Sequence, residues 1–331
     1  MQNEELLNNL FKNEIYQSKY KSVFLKLGNH CVLALIALIV IGGATRVMEA
    51  GLACPDWPLC YGTFLPLNHM SLRVFLEWFH RLDAFLVGLL ILSKFILSIV
   101  WRKDLPNWLP KTYSLLVFLV IVQGSIGALT VINLLNSYSV TAHLLTAFLL
   151  LITTITINQN LENNEVNKSL IWWKVLLFFP LFLTLLQSFI GVRLSSTWSA
   201  HLCLSLNKQC LILDTHKLFA IPISVSILFI LAISIYKQNL FLNNWRYLCS
   251  LFLLLISQVF LGVLTLKTNL SEPVFIIGHQ LNASLLIAIL TSLIFRNPYL
   301  NKKINQPFNS VIVGLNLSLI HISEPTRLLA I

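Results

Sequence analysis

The chain contains eight apolar runs, each of about 20 residues, the length a helix needs to cross the hydrocarbon core of a bilayer. They read as roughly 27–46, 74–101, 112–132, 138–158, 171–193, 213–236, 246–267 and 274–296. Of the 331 residues, 56% are hydrophobic and only 11% are charged, against about 25% charged in an average soluble domain. The predicted fold class is an all-α membrane protein with eight transmembrane helices. Residues 1–26 are polar and mixed in charge, and a cleavable secretory signal, with its short basic start and immediate apolar run, is not seen there.

The linkers alternate in charge. With the N-terminus inside, one face gathers Lys12, Lys19, Lys21, Lys26, Arg102, Lys103, Lys111, Lys168, Lys174, Lys237, Arg246, Arg296, Lys302 and Lys303. The other carries only Arg46, Arg73, Arg193, Lys208 and Lys267. By the positive-inside rule both termini are expected in the cytoplasm. The net charge of +10 then follows from topology. No dense basic stripe asks for a nucleic-acid partner.

The two halves repeat. HRLDAFLVGLLIL from His80 aligns with HKLFAIPISVSIL from His216, QGSIGALT from Gln123 with QVFLGVLT from Gln258, and AHLLTAFLL from Ala142 with GHQLNASLL from Gly278. The offsets between matched His80/His216, Gln123/Gln258 and His143/His279 are 136, 135 and 136 residues. The expected architecture is two tandem pseudo-symmetric four-helix bundles related by an axis along the membrane normal. The boundaries are a cytoplasmic segment 1–26, an N-terminal unit 27–158, a cytoplasmic linker 159–170, a C-terminal unit 171–296 and a tail 297–331.

Four of the eight histidines, His80, His143, His216 and His279, fall at equivalent repeat positions near the start of even-numbered spans. Those spans run parallel, so each unit is expected to present two imidazoles to one plane. That suits a bis-histidine haem in a bundle core. A lone membrane histidine more often just bonds a neighbouring helix, and zinc remains open, although a closed zinc site needs four ligands. His30, His69, His201 and His321 read as interfacial or solvated.

Glu77 stands one helical turn before His80 and shares its face. The corresponding place in the second half is Leu213, beside Asp214. This asymmetry suggests one reacting site and one site that passes electrons; the plain alternative is an anchor pairing Glu77 with Arg73 or Arg81. Arg46, Arg81, Arg193 and Lys217 cluster near the histidines and suit haem propionates, or else snorkel to headgroups. Cys54/Cys60 and Cys203/Cys210 lie as close pairs in the loops before His80 and His216. Disulfides are expected in an oxidising compartment, each contributing up to about 3 kcal/mol by loop closure. A structural staple and a thiol relay are both open roles. Cys31 and Cys249 read as packing residues within spans. Lys94 is expected to snorkel toward the inner face.

GGATRV at Gly42–Val47, GLACPDWPLCYG at Gly51–Gly62, EWFHRLDAF at Glu77–Phe85 and the histidines in TAH, DTHK and GHQ resemble the haem A synthase family over about residues 25–296. The resemblance implies an oxidoreductase of a bacterial-type plasma membrane that converts the C8 methyl of haem O to a formyl group, giving haem A for terminal oxidases. It implies that His80 and His143 hold haem O as substrate, that His216 and His279 ligate a haem b cofactor, and that Glu77 is the catalytic acid. Its partners would be membrane lipids, quinol or another electron acceptor, haem O synthase and the terminal oxidase assembly machinery. Leu317–Ile331 departs from the family pattern and resembles translated sequencing-adaptor read-through.

Three other readings compete. A haem prenyltransferase needs aspartate-rich diphosphate motifs, and no DxxxD or DDxxD occurs. A transporter calls for polar residues near the bilayer midplane. A non-catalytic di-haem b, quinol-linked electron carrier would keep all four histidines but has no use for an acid on one side only.

Overall fold

The computed structural model describes residues 2–162, 171–196 and 210–298. Eight long helices carry the described chain: α1 (Gln2–Val47), α2 (Leu72–Val100), α3 (Leu109–Ile132), α4 (Ser137–Glu162), α5 (Ile171–Ser196), α6 (Leu211–Tyr236), α7 (Gln238–Lys267) and α8 (Pro273–Phe295). All eight contain stretches long and apolar enough to cross a membrane. In lipid a spanning segment must satisfy its own backbone, which leaves the helix as the natural state of such runs. This is an integral multi-pass membrane protein. Residues 299–331, including the suspect tail, lie outside the described residues.

Several helices outrun their apolar cores. α1 extends back to Gln2, α4 runs on to Glu162 into the expected linker, and α7 begins at Gln238 rather than near residue 246. Hydropathy marks where the chain enters lipid, whereas a helix continues until its backbone is capped or broken. Ser71 caps α2, its Oγ accepting from the Val74 amide at 3.3 Å. Pro273 opens α8 at a position where the missing N–H costs nothing.

Around the first four helices, α1 touches α2 and α4, and α3 touches α2 and α4; around the last four, α5 touches α6 and α8, and α7 touches α6 and α8. α1 and α4 meet α8, and α4 meets α5. One buried apolar cluster runs from Phe24 to Ile294 through all of them. The repeat extends to the turns. Leu134 and Leu135 after α3 have φ of 50° and 59°, and Asn269 and Leu270 after α7 have 50° and 63°. The Leu135 amide donates to the Thr130 carbonyl at 2.8 Å, as Leu270 does to Thr265 at 3.1 Å.

Lys94 departs from expectation. Its side chain is 1% exposed, with Nζ 5.0 Å from the Tyr113 ring centre and 5.7 Å from that of Phe24. Rather than snorkelling, the ammonium rests on two aromatic faces inside the helices, an attraction that strengthens when water is excluded.

Candidate functional site

All four repeat histidines lie near the N-terminal ends of even-numbered helices and are drawn together in twos. The His80 and His143 ring centres are 6.4 Å apart and inclined at 71°; those of His216 and His279 are 6.3 Å apart and inclined at 61°. Two imidazoles on opposite sides of one metal, each about 2 Å from it through nitrogen, have ring centres at just such a separation. In every ring Nδ1 is buried and without a hydrogen-bond partner. A buried, unpartnered nitrogen is costly, and its occurrence in all four rings fits a shared need for a ligand. The two pairs therefore fit bis-histidine haem ligation. Among the described residues no group of three or more His, Cys, Asp or Glu could hold a bare metal ion, which disfavours zinc.

Each histidine packs against a glycine of the preceding odd-numbered helix. A Cβ added to Gly42 would lie 2.9 Å from Cε1 of His80, and one on Gly127 3.1 Å from that of His143. The same construction gives 3.1 Å from Gly191 to His216 and 3.2 Å from Gly262 to His279. Small residues let the helices approach, and here they set the position of the rings.

Glu77 is 4% exposed. Its Oε2 accepts from the Cys54 amide at 2.7 Å and its Oε1 from Arg81 Nη2 at 2.5 Å. Arg81 Nη1 also donates to the carbonyls of Asp56 at 2.6 Å and Leu59 at 2.5 Å. The acid beside the first pair is thus fixed by the 51–62 loop, which the Cys54–Cys60 disulfide closes. Of the two sequence alternatives for its partner, Arg81 is the one observed; Arg73 pairs with Glu49 at 3.6 Å instead. At the second pair, Leu213 is buried, and exposed Asp214 lies 3.7 Å from Lys217.

The expected propionate partners scatter. Arg46, on α1, donates to Ser195 of α5 at 2.5 Å and to Gln280 of α8 at 3.4 Å. Arg193, on α5, donates to Ser137 of α4 at 2.9 Å and lies over the Tyr138 ring. These two arginines reach across between the first and last four helices, in opposite directions. Cys210 is disulfide-bonded; its expected partner Cys203 lies outside the described residues. Cys31 is buried as expected, whereas Cys249 is exposed.

The sequence aligns Gln123 with Gln258 across the repeat but assigns the glutamines no role at the histidines. Gln123, Gln187 and Gln258 stand four residues before Gly127, Gly191 and Gly262. Gln123 Nε2 donates to the His143 carbonyl at 3.0 Å, Gln187 Nε2 to the His216 carbonyl at 2.7 Å, and Gln258 Nε2 lies 3.2 Å from the His279 ring. A Q-x-x-x-G pattern in three odd-numbered spans was the available signal. Gln280 was also missed: its Nε2 donates to the Ile39 carbonyl at 3.0 Å, tying α8 to α1 beside Gly43.

The family model COX15-CtaA, cytochrome oxidase assembly protein, matches residues 27–215. The chain belongs to this family. It is similar to the haem A synthase of Shewanella oneidensis, 34% identical over 132 residues that span 35% of this chain and 39% of that protein. It is similar to the haem A synthase of Ehrlichia canis, 24% identical over 319 residues, 80% of this chain and 90% of that protein. A shorter likeness links it to a protoheme IX farnesyltransferase of Halobacterium salinarum, 32% identical over 101 residues, 30% of this chain and 22% of that protein. The family match covers both histidines of the first pair, Glu77, the Cys54–Cys60 loop and Arg193; His216 and His279 both lie beyond it.

Proposed function

We propose that this COX15-CtaA member is a haem A synthase, an oxidoreductase that converts the C8 methyl of haem O to a formyl group. In this reading the chain forms two four-helix units, as the neighbour relations of its helices support. His80 and His143 hold haem O as substrate in the N-terminal unit; His216 and His279 hold a resident haem b in the C-terminal unit. Haem b, when bound, supplies reversible one-electron storage, suited to passing electrons toward a quinone, which is reduced to quinol, or another acceptor. Haem O synthase would supply the substrate and terminal oxidase assembly would consume the product. Both termini face the cytoplasm in this reading, and the histidine end lies toward the external leaflet.

The observation that carries the proposal is the one-sided acid. Glu77 is buried one turn from His80, whereas the matching place beside His216 is Leu213. A di-haem carrier has no use for that difference. A methyl carbon losing electrons gains positive character, and a fixed carboxylate stabilises it or orients water toward it. The Cys54 amide and Arg81 hold the carboxylate in one orientation.

The test is Glu77→Gln, with pigments extracted from purified protein and separated. The expected outcome is unchanged total haem, haem O accumulated and haem A abolished. Haem A at the wild-type proportion would overturn the assignment, and haem b alone in wild-type protein would favour the carrier.

A further inference from the structure

The four histidines are alike in placement but unequal in support. His143 and His279 each have a complete bracket. The Thr146 hydroxyl donates to Gln123 Oε1, and Asn282 Nδ2 donates to Gln258 Oε1 at 2.7 Å, so each glutamine is held from the residue three positions after its histidine. His216 has half a bracket: Gln187 reaches its carbonyl, but Phe219 follows three residues later, and Gln187 Oε1 is buried without a partner. His80 has none. In α1 the residue four before Gly42 is Leu38, and among the described residues no side chain hydrogen-bonds the His80 ring or carbonyl. Asp83 occupies the register of Thr146 and Asn282, with no glutamine opposite.

We propose that His80 is the exchangeable ligand, the one imidazole that lets go so that substrate haem enters and product haem leaves, and that Leu38 is the residue that keeps it so. This rests on the functional reading above. A resident haem must be retained through many turnovers, and its two histidines have a glutamine each. A substrate haem must be released after each one, and its site has a single glutamine, on His143. Gln123, Gln187 and Gln258 are accordingly positioning residues: each ties a histidine to the neighbouring odd-numbered helix. Leu38 offers the His80 ring no hydrogen bond from α1, whose Gly42 packs against it. The charged neighbours of His80 do not substitute for the bracket. Glu77 and Arg81 are committed to each other and to the 51–62 loop.

The test uses purified, reduced holoprotein and carbon monoxide, which binds a bis-histidine haem only after one imidazole dissociates. In wild type, carbon monoxide should react with the haem O or haem A fraction and leave haem b untouched. Leu38→Gln places an amide opposite His80, its Nε2 able to donate both to the His80 carbonyl and to the Asp83 carboxylate, which accepts where Thr146 and Asn282 donate, and should slow carbon monoxide binding by about fivefold, the factor one ordinary hydrogen bond supplies. Gln123→Leu should free His143 as a second route at the same haem and speed binding by up to about twofold, since parallel rates add and one hydrogen bond is lost, and Gln258→Leu should make haem b reactive. A Leu38→Gln rate within twofold of wild type, or wild-type reactivity confined to haem b, overturns the proposal. If Leu38→Gln does not accumulate, Gln123→Leu decides: no acceleration overturns it. Failure of the underlying reading has a different signature, since His80→Ala and His143→Ala would then leave pigment content unchanged.

Discussion

Gly42 shows how little room the histidine sites leave. A methyl group there would press within 2.9 Å of the His80 ring, closer than the 3.1–3.2 Å found at the other three glycines. Gly42→Ala should therefore displace His80 and, in the proposed reading, lower the haem O and haem A fraction by half or more, while Gly262→Ala, with slightly more room, should in the same reading mainly broaden the haem b spectrum. Pigment ratios in purified protein check both. At this scale the sequence was most informative where the repeat set one polar residue against another: the four histidines stand at matched positions of the two halves, and Glu77 stands one turn before His80 with Leu213 as its counterpart. The role of the glutamines was not legible, because a polar residue mid-span reads as helix packing until its partner is seen. Lys94 misled because a long side chain can end equally well in headgroups or on buried aromatic faces, and the choice depends on Phe24 and Tyr113, contributed by other helices.

At the scale of the element, the 51–62 loop is held by one of its own side chains. Asp56 accepts from the Tyr61 amide at 2.6 Å and the Gly62 amide at 2.8 Å. These donors, Gly62 first, hold its carboxyl below the usual carboxylate range, more than offsetting the opposing desolvation. A group whose pKa is lowered by folding contributes its stability above the unfolded value, and that contribution fades as pH falls through the folded one. The loop should stay closed at neutral pH and loosen only in acid below the ordinary aspartate range. Asp56→Asn should loosen it at neutral pH, leave it unchanged in strong acid and so flatten the dependence, and the rate at which a water-soluble phosphine reduces Cys54–Cys60 measures both. That this segment folds over something was readable from its glycines, prolines and paired cysteines. Its grip on Glu77 was not, because the donor is a backbone amide, to which every residue type contributes alike. Helix ends were the least legible feature, as α1 and α7 show, because amphipathic flanks continue a helix beyond the bilayer without an apolar signature.

In the whole molecule, the repeat at an offset of 135–136 residues was visible in the text and recurs in the turns after α3 and α7. What holds the first four helices to the last four was not visible, since Arg46 and Arg193 read as partners for haem propionates or headgroups and Gln280 was given no role. The arginines grip in opposite senses, and Gln280 inserts beside Gly43, where any larger residue would collide with it. An attachment made by reciprocal side-chain bonds and shared apolar packing does not depend on a covalent join. Genes for the two halves, divided between Glu162 and Ile171 and co-expressed with an affinity tag on one only, should yield both polypeptides from a single column in equal amounts. Adding Arg46→Ala and Arg193→Ala to the divided pair should let the untagged piece wash away.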